Sequence, residues 1–296
     1  MASLLNHIGF QPPRGAKVLV KPNLLAAKPP DFLACTHPQV VRAACEYLLA
    51  HDARVTVGDS PTFGTGKKNA REIGLQAALA DLPVRVIELN HPQFVRLPLP
   101  WGRVAVSREA LECDLILNLP KLKVHRMMCL TGAVKNYFGC VTGIFKAFLH
   151  LRYGDRKNLF ESMLVEVMRL LPPGVTILDA VKVMHITGPV HGSPYRLGLL
   201  GASPSAVALD TAVYSLLKLR PGDVPLWRET LARRLPGARW EDLTFPLENL
   251  EAFPAQGFQI PEALQSLSFH PLRVAKGLLR NWRTAICEKF SCSREG

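Results

Sequence analysis

The sequence predicts an α/β fold: a mostly parallel, mixed sheet with helices on both faces, plus an irregular and helical C-terminal appendage. Three observations carry this. Short continuous runs of Val, Ile and Leu recur along the chain, as strands buried on both faces require. Stretches of helical periodicity separate them, the pattern of right-handed βαβ units. Polar residues close several of these runs, at the end where open α/β sheets build their sites.

The first strand is Lys17-Val18-Leu19-Val20, ending in Lys21-Pro22-Asn23. Thr36 is a natural N-cap for the next helix, with Pro38 inside its first turn and an end near His51. Arg54 to Val57 form the second strand, closed by Gly58-Asp59-Ser60-Pro61, and a helix covers Lys68 to Ala80. Val84 to Ile87 are the third strand. Phe94 to Leu99 and Arg103 to Val106 flank Pro100-Trp101-Gly102 as a hairpin. Cys113 to Asn118 read as a further buried strand, and Val134 to Leu149 as a helical stretch that ends before His150. Val175 to Leu178 form another strand, followed by Asp179. Gly188-Pro189-Val190-His191-Gly192-Ser193-Pro194 makes a tight turn. Arg196 to Leu200 lead into a helix from about Ser205 to Leu219. Residues 1–220 are read as the α/β domain and 221–296, Pro-rich and then helical, as an extension packed on it.

Hydrophobic residues at 48% and charged residues at 20% exclude a disordered chain. Lysine and arginine number 36 against 24 acidic residues, a surplus of +12 that points to an anionic small molecule, a membrane surface or nucleic acid. Nucleic acid finds little support, because aromatics are only 7% and no reader motif interleaves them with the lysines. The seven cysteines contain no CxxC pair, which excludes a zinc ribbon or ferredoxin-type cluster motif and suggests reduced thiols. With no basic apolar leader and no run of about 18 apolar residues, a cytoplasmic protein is expected.

Reading the strand ends in order gathers candidate ligand-binding residues: Lys21 and Asn23, then Asp59 and Ser60, then Asn118, Lys121, Lys123 and His125, then Asp179. Lys121, Lys123 and His125 alternate, so in an extended segment they face one way. Thr131-Gly132 is expected to open a helix with free backbone N–H groups aimed at an anion, with Lys135 and Asn136 one turn on. Such a group suits phosphate or carboxylate recognition, and no Walker spacing is present. The plainer alternative is lysines facing water on an edge strand. His125 and Asp59 are the candidates for proton transfer. His150 is either a helix-end histidine or a second imidazole facing His125. With Asp59 and Asp179 these histidines offer a divalent metal site, although no HxH or HExxH spacing supports one. Asp210, on an apolar helical face, needs a partner and is read first as a structural tie to lysine or backbone.

Leu272, Ala275, Leu279, Trp282, Ile286 and Phe290 recur at helical spacing beside Arg273, Lys276, Arg280 and Arg283. Residues 271–296 therefore form an amphipathic basic helix that docks on the domain or lies on an anionic membrane surface.

Val20-Lys21-Pro22-Asn23-Leu24, Gly58-Asp59-Ser60-Pro61, Leu119-Pro120-Lys121-Leu122-Lys123-Val124-His125 and Leu130-Thr131-Gly132-Ala133-Val134-Lys135-Asn136 resemble the domain of unknown function 362 family. Phe138-Gly139, His150, Gly188-Pro189 with Gly192, and Val207-Ala208-Leu209-Asp210 extend the likeness, in order, from about Lys17 to Tyr214. The resemblance implies a link to four-iron–four-sulfur ferredoxin modules and so to redox metabolism. This chain departs by lacking the cysteine run, so no cluster is expected within it, and by Ser203-Pro204-Ser205 where a serine–aspartate pair is usual. Two functions follow as expectations. One is an enzyme-like domain binding a small anionic ligand. The other is a non-catalytic assembly partner of a ferredoxin-like protein, held peripherally at a membrane.

Overall fold

The computed structural model describes residues 1–27, 32–61, 65–154, 156 and 158–265. In chain order the elements begin with α1 (Ala2–His7), β1 (Lys17–Pro22), α2 (Pro38–Ala50), β2 (Arg54–Asp59), α3 (Gly66–Glu72), α4 (Leu75–Ala78) and β3 (Arg85–Glu88). The hairpin β4 (Pro92–Arg96) and β5 (Arg103–Ser107) follows, then α5 (Arg108–Leu111), β6 (Leu115–Leu119), β7 (Lys121–His125) and β8 (Cys129–Thr131). The rest comprises α6 (Ala133–Asn136), α7 (Gly143–Tyr153), α8 (Leu159–Leu170), β9 (Gly174–His185), β10 (Ser193–Ser203), α9 (Ala206–Leu216) and α10 (Pro225–Ala232).

The eight-stranded sheet runs β3-β2-β1-β6-β9-β7-β8, with β10 antiparallel along β9. β1 is parallel to β2 and β6, and β2 to β3. β6 and β7 are separated by Pro120 alone and pair in succession with one edge of β9. On their other edge β1 pairs with β6 and β8 with β7. The carboxyl end of β1 and the turn after β8 therefore meet near one strand break, and the candidate site residues gather there.

Period-two alternation divides the core between the two faces. Val18, Val20, Val55, Val57, Leu115 and Leu117 pack with α2, whereas Leu19 and Ile116 belong to the core formed by the later helices and the hairpin. Leu226 and Trp227 of α10 are buried in that second core, and the indole of Trp227 donates to Ala238 O at 2.9 Å. The basic stripe predicted over 271–296 lies outside the described residues.

Several boundaries differ from the sequence reading, each for a local reason. The helix expected over 68–80 is two helices, α3 and α4, parted at Gly74 with φ 76°. The helix over 134–149 is broken into α6, a 3-10 turn at Tyr137–Cys140, and α7, which places His150 within the last helical turn. β9 runs well past Leu178, so Asp179 lies inside a strand and not at its end. The α2 cap is His37, whose Nδ1 accepts from Gln39 N at 3.2 Å. Thr36 is drawn instead toward the site: its hydroxyl donates to Leu119 O at 2.7 Å and accepts from Asn23 N at 2.8 Å.

Candidate functional site

At the carboxyl end of β1 the ammonium of Lys21, 0% exposed, donates to Asp59 Oδ1 at 2.8 Å and to Pro22 O at 2.9 Å. Asp59, closing β2, also accepts from Ser60 N at 2.9 Å and from Leu24 N at 2.7 Å. Ser60 Oγ accepts from Gly143 N at 3.0 Å, tying the start of α7 to the same strand end.

Asn136, closing α6, is the hub. Its Oδ1 accepts from Asn23 Nδ2 at 2.9 Å and Lys21 Nζ at 3.5 Å, and its Nδ2 donates to Asn118 Oδ1 at 2.8 Å and Lys21 O at 3.1 Å. Asn118 Nδ2 in turn donates to Ala133 O at 3.0 Å and Thr176 Oγ1 at 3.2 Å. Every hydrogen-bonding group of the Asn136 amide is thereby occupied, as a buried amide requires.

β7 supplies the cations. Lys121, Lys123 and His125 are all buried, so the alternative of solvated lysines on an edge strand does not hold; β8 and β9 flank β7 on either side. Lys121 pairs with Asp179 at 2.9 Å, and Asp179 also accepts from His37 N at 2.9 Å. Lys123 donates to Asn23 Oδ1 at 2.7 Å and Ala34 O at 2.6 Å, with no carboxylate bonded to it among the described residues; burial pulls its ammonium down to about 7. Thr131 Oγ1 donates to Lys123 O at 3.2 Å.

His125 Nδ1 accepts from the backbone N–H groups of Met127 and Met128 at 3.1 and 3.3 Å. Its neutral form therefore carries the proton on Nε2, which has no partner among the described residues. Burial first, then Lys135, His150 and Lys123, hold its imidazolium well below the usual range. The arrangement makes His125 a neutral Nε2–H donor. Lys135, partly buried, has no hydrogen bond or ion pair among the described residues, and desolvation lowers it to about 8.

Sequence reasoning missed Lys146. This α7 residue is 2% exposed, and among the described residues its ammonium donates only to Gly139 O, at 3.4 Å; burial lowers it to about 7. Its i+4 neighbour His150 packs against the rings of Phe138 and Phe160, centroids 5.4 and 4.3 Å away. Burial, Lys135 and Lys146 push the His150 imidazolium down to about 3. The signal was present in the sequence: Lys146 and His150 share one helical face.

One expectation is overturned. The N–H groups that open α6 are not free for an anion, because Asp210 Oδ1 accepts from Ala133 N at 2.6 Å and Oδ2 from Val134 N at 3.0 Å. The protein's own carboxylate fills that position, and a Cβ on Gly132 would overlap it. Burial raises Asp210 to about 7, while these two N–H bonds pull it back. Asp210 is thus the structural tie to backbone. Gly139 meets the site in the same manner, its backbone resting on the Lys21–Asp59 pair.

Five lysines therefore converge on one buried region, while its carboxylates, Asp59 and Asp179, are already bonded to Lys21 and Lys121. Among the described residues no group of three or more His, Cys, Asp or Glu side chains is gathered for a metal ion. A groove of about 870 Å³ opens elsewhere, at the amino ends of β1, β2 and β3, lined by Lys17, Arg54, Thr56 and Arg85 among others.

Comparison with known proteins agrees with the motifs. A model of the family described as Domain of unknown function (DUF362) matches residues 18–215. The chain belongs to that family. All the candidate site residues from Lys21 to Asp210 fall inside the matched region. Thylakoid-associated protein sll1697 of Synechocystis sp. is 34% identical over 270 residues, covering 90% of this chain and 83% of that protein. Among solved structures, the lactate racemase apoprotein from Thermoanaerobacterium thermosaccharolyticum superposes with a TM-score of 0.41 at 11% identity. That match spans 69% of this chain and 48% of the racemase chain. Among the described residues no helix is long and apolar enough to cross a membrane.

Proposed function

We propose that this DUF362 protein binds a small anion bearing phosphate or carboxylate groups at the lysine cluster. One observation carries the reading: Lys123, Lys135 and Lys146 are brought to one buried region, and among the described residues no carboxylate is bonded to any of them. Buried charge is costly unless paired, so an anion supplied from outside is the partner this arrangement lacks. Lys123 and Lys135 would meet the negative groups, and His125 would add its Nε2–H. Asn23, Asn118 and Asn136 would hold the amines in register, and Asp59 would keep Lys21 aligned. The surplus of amines favours a ligand of more than one negative charge, such as a phosphomonoester or a dicarboxylate. Proton transfer by His125 or Asp59 would then act on a ligand already fixed by charge.

The test is calorimetric titration of the full-length protein with inorganic phosphate and, separately, with succinate. Binding of either is expected, with the two arms distinguishing phosphate from carboxylate recognition. Lys123→Met and Lys135→Met should abolish it while leaving Tm near that of the parent. Unchanged binding in both variants would refute the reading.

A second reading, a peripheral membrane protein assembling with an iron–sulfur partner, has one observation in its favour: the relative from Synechocystis is described as thylakoid-associated. In this reading residues 271–296 would supply the lipid contact. Sedimentation with anionic vesicles tests it, comparing the parent with the full-length variant Arg273→Glu, Lys276→Glu, Arg280→Glu, Arg283→Glu. Equal pelleting of both would rule the tail out.

A further inference from the structure

Helix α7 departs from the usual amphipathic arrangement. Its inward face carries Lys146 and His150 together with Leu149 and Tyr153, all buried. Its outward face carries Phe148 and Leu151, which are 53% and 51% exposed. A surface helix ordinarily keeps its apolar side chains inward and its polar ones toward solvent. The apolar surface continues onto the neighbouring hairpin. Phe145 packs edge-on against Phe94, centroids 5.2 Å apart, and Phe94 is itself 47% exposed. At the other end of α7, Tyr153 Oη donates to Pro100 O at 3.4 Å, beside Leu99, which is 84% exposed at the hairpin tip.

Arginines accompany this surface. Arg96 and Arg103 stand opposite each other across β4 and β5, and the Arg103 guanidinium lies 5.7 Å from the Phe94 ring centroid. Arg152 Nε donates to Tyr153 Oη at 3.1 Å. Among the described residues none of the three pairs with a carboxylate. Exposed apolar side chains clustered among unpaired cations mark an interaction surface and not a solvated one.

We propose that the outward face of α7 and the tip of the β4–β5 hairpin dock on an anionic lipid surface. Charge selects this occupant over a second copy of the chain. Self-association through the patch would bring Arg96, Arg103 and Arg152 close to their own counterparts, whereas phosphate headgroups complement them and the interface region accepts Phe148, Leu151 and Leu99. The inference goes beyond anion binding at the lysine cluster. It shares the lipid partner with the second reading above but rests on none of residues 271–296. It also means that one helix presents Phe148 and Leu151 to the bilayer and Lys146 and His150 to the buried cluster.

The experiment is vesicle sedimentation of full-length protein with phosphatidylcholine alone and with added phosphatidylglycerol. Parent protein is expected to pellet only with the anionic vesicles. Arg96→Gln with Arg103→Gln should weaken binding by about thirtyfold, since each arginine at a charged bilayer contributes ~1 kcal/mol. Phe148→Ser with Leu151→Ser should also release the protein, with unchanged Tm. The charge-reversed tail variant should still pellet. Release by the tail variant alone, with full binding by both face variants, would overturn the proposal and leave the tail as the contact. Phe148→Trp reads insertion directly: a blue-shifted emission on adding anionic vesicles is expected, and an unshifted spectrum from protein that has pelleted would refute it. A vesicle-insensitive dimer that dissociates in the Phe148/Leu151 variant would assign the face to a second copy and equally overturn it.

Discussion

Gly139→Ala tests how tightly the site is built. Gly139 lies in the 3-10 turn between α6 and α7 and has no positive φ, so alanine meets no backbone penalty there. What it meets is the ion pair. A Cβ at this position would overlap Lys21 Nζ and Asp59 Oδ1, and would stand 2.5 Å from Lys21 Cε. Lys21 cannot withdraw, because its ammonium is enclosed and already bonded to Asp59 and Pro22 O. The pair must separate or the turn must shift. Separating a buried pair costs about 3–5 kcal/mol. At ~2–4 °C per kcal/mol for chains approaching this size, Tm should fall by about 6–20 °C. Circular dichroism melts and urea unfolding would measure it. Gly143→Ala is the control, since a Cβ there meets nothing within 4 Å; its effect should stay within about 0.5 kcal/mol. A Gly139→Ala protein melting within ~2 °C of the parent would refute the claim that this turn is fixed by the pair beneath it.

The Asp210 cap should respond to Asn, because an amide can accept only one of the Ala133 and Val134 N–H bonds; urea unfolding should show a loss of about 1–3 kcal/mol, and equal stability would count against the cap. Asn136→Asp should cost at least ~2 kcal/mol by the same measurement, since an acceptor would replace the Nδ2 that donates to Asn118 and Lys21 O. The pH dependence follows from Lys123 and Lys146 lowered to about 7 and Lys135 to about 8. Above these values the unfolded chain holds more protons than the folded one, so stability of the unliganded protein should rise from about pH 7 to pH 9. Beyond that the buried thiols Cys35 and Cys140, raised to about 11 and about 12, act in the opposite sense. Lys146→Met should flatten the rise in urea midpoints, and a falling midpoint between pH 7 and 9 would contradict the assignment. Affinity for phosphate should decrease over the same interval as the amines lose their protons.

The sheet was legible wherever a strand is a plain apolar run. β1, β2, β3 and β6 stand close to their expected places, and the β4–β5 hairpin and the β9–β10 turn follow from their Gly and Pro signals. β9 was truncated because Asp179 read as the end of a strand, whereas Lys121 neutralises Asp179 within the sheet. The long helix expected after Thr131 is interrupted because Gly139 must lay bare backbone on a charged pair donated by β1 and β2, which no local periodicity encodes. The residue types gathered in the candidate site were proposed from strand ends, but their pairings were not readable there. Lys123 with Asn23, or Asp210 with Ala133, join positions far apart in the chain through chemistry visible only after folding. Lys146 was overlooked because a lone lysine in an aromatic stretch looks like a solvent-facing position; its helix is turned the other way.

The unpaired amines also bear on how long the molecule survives in a cell. An anion bound beside buried cations stabilises the folded chain over the unfolded one, so the proposed binding would act as a brace against degradation. Under the proposed anion binding, protease resistance followed across a panel of phosphorylated and carboxylated metabolites becomes a screen: a compound that binds the lysine cluster should lengthen the half-life of the intact chain.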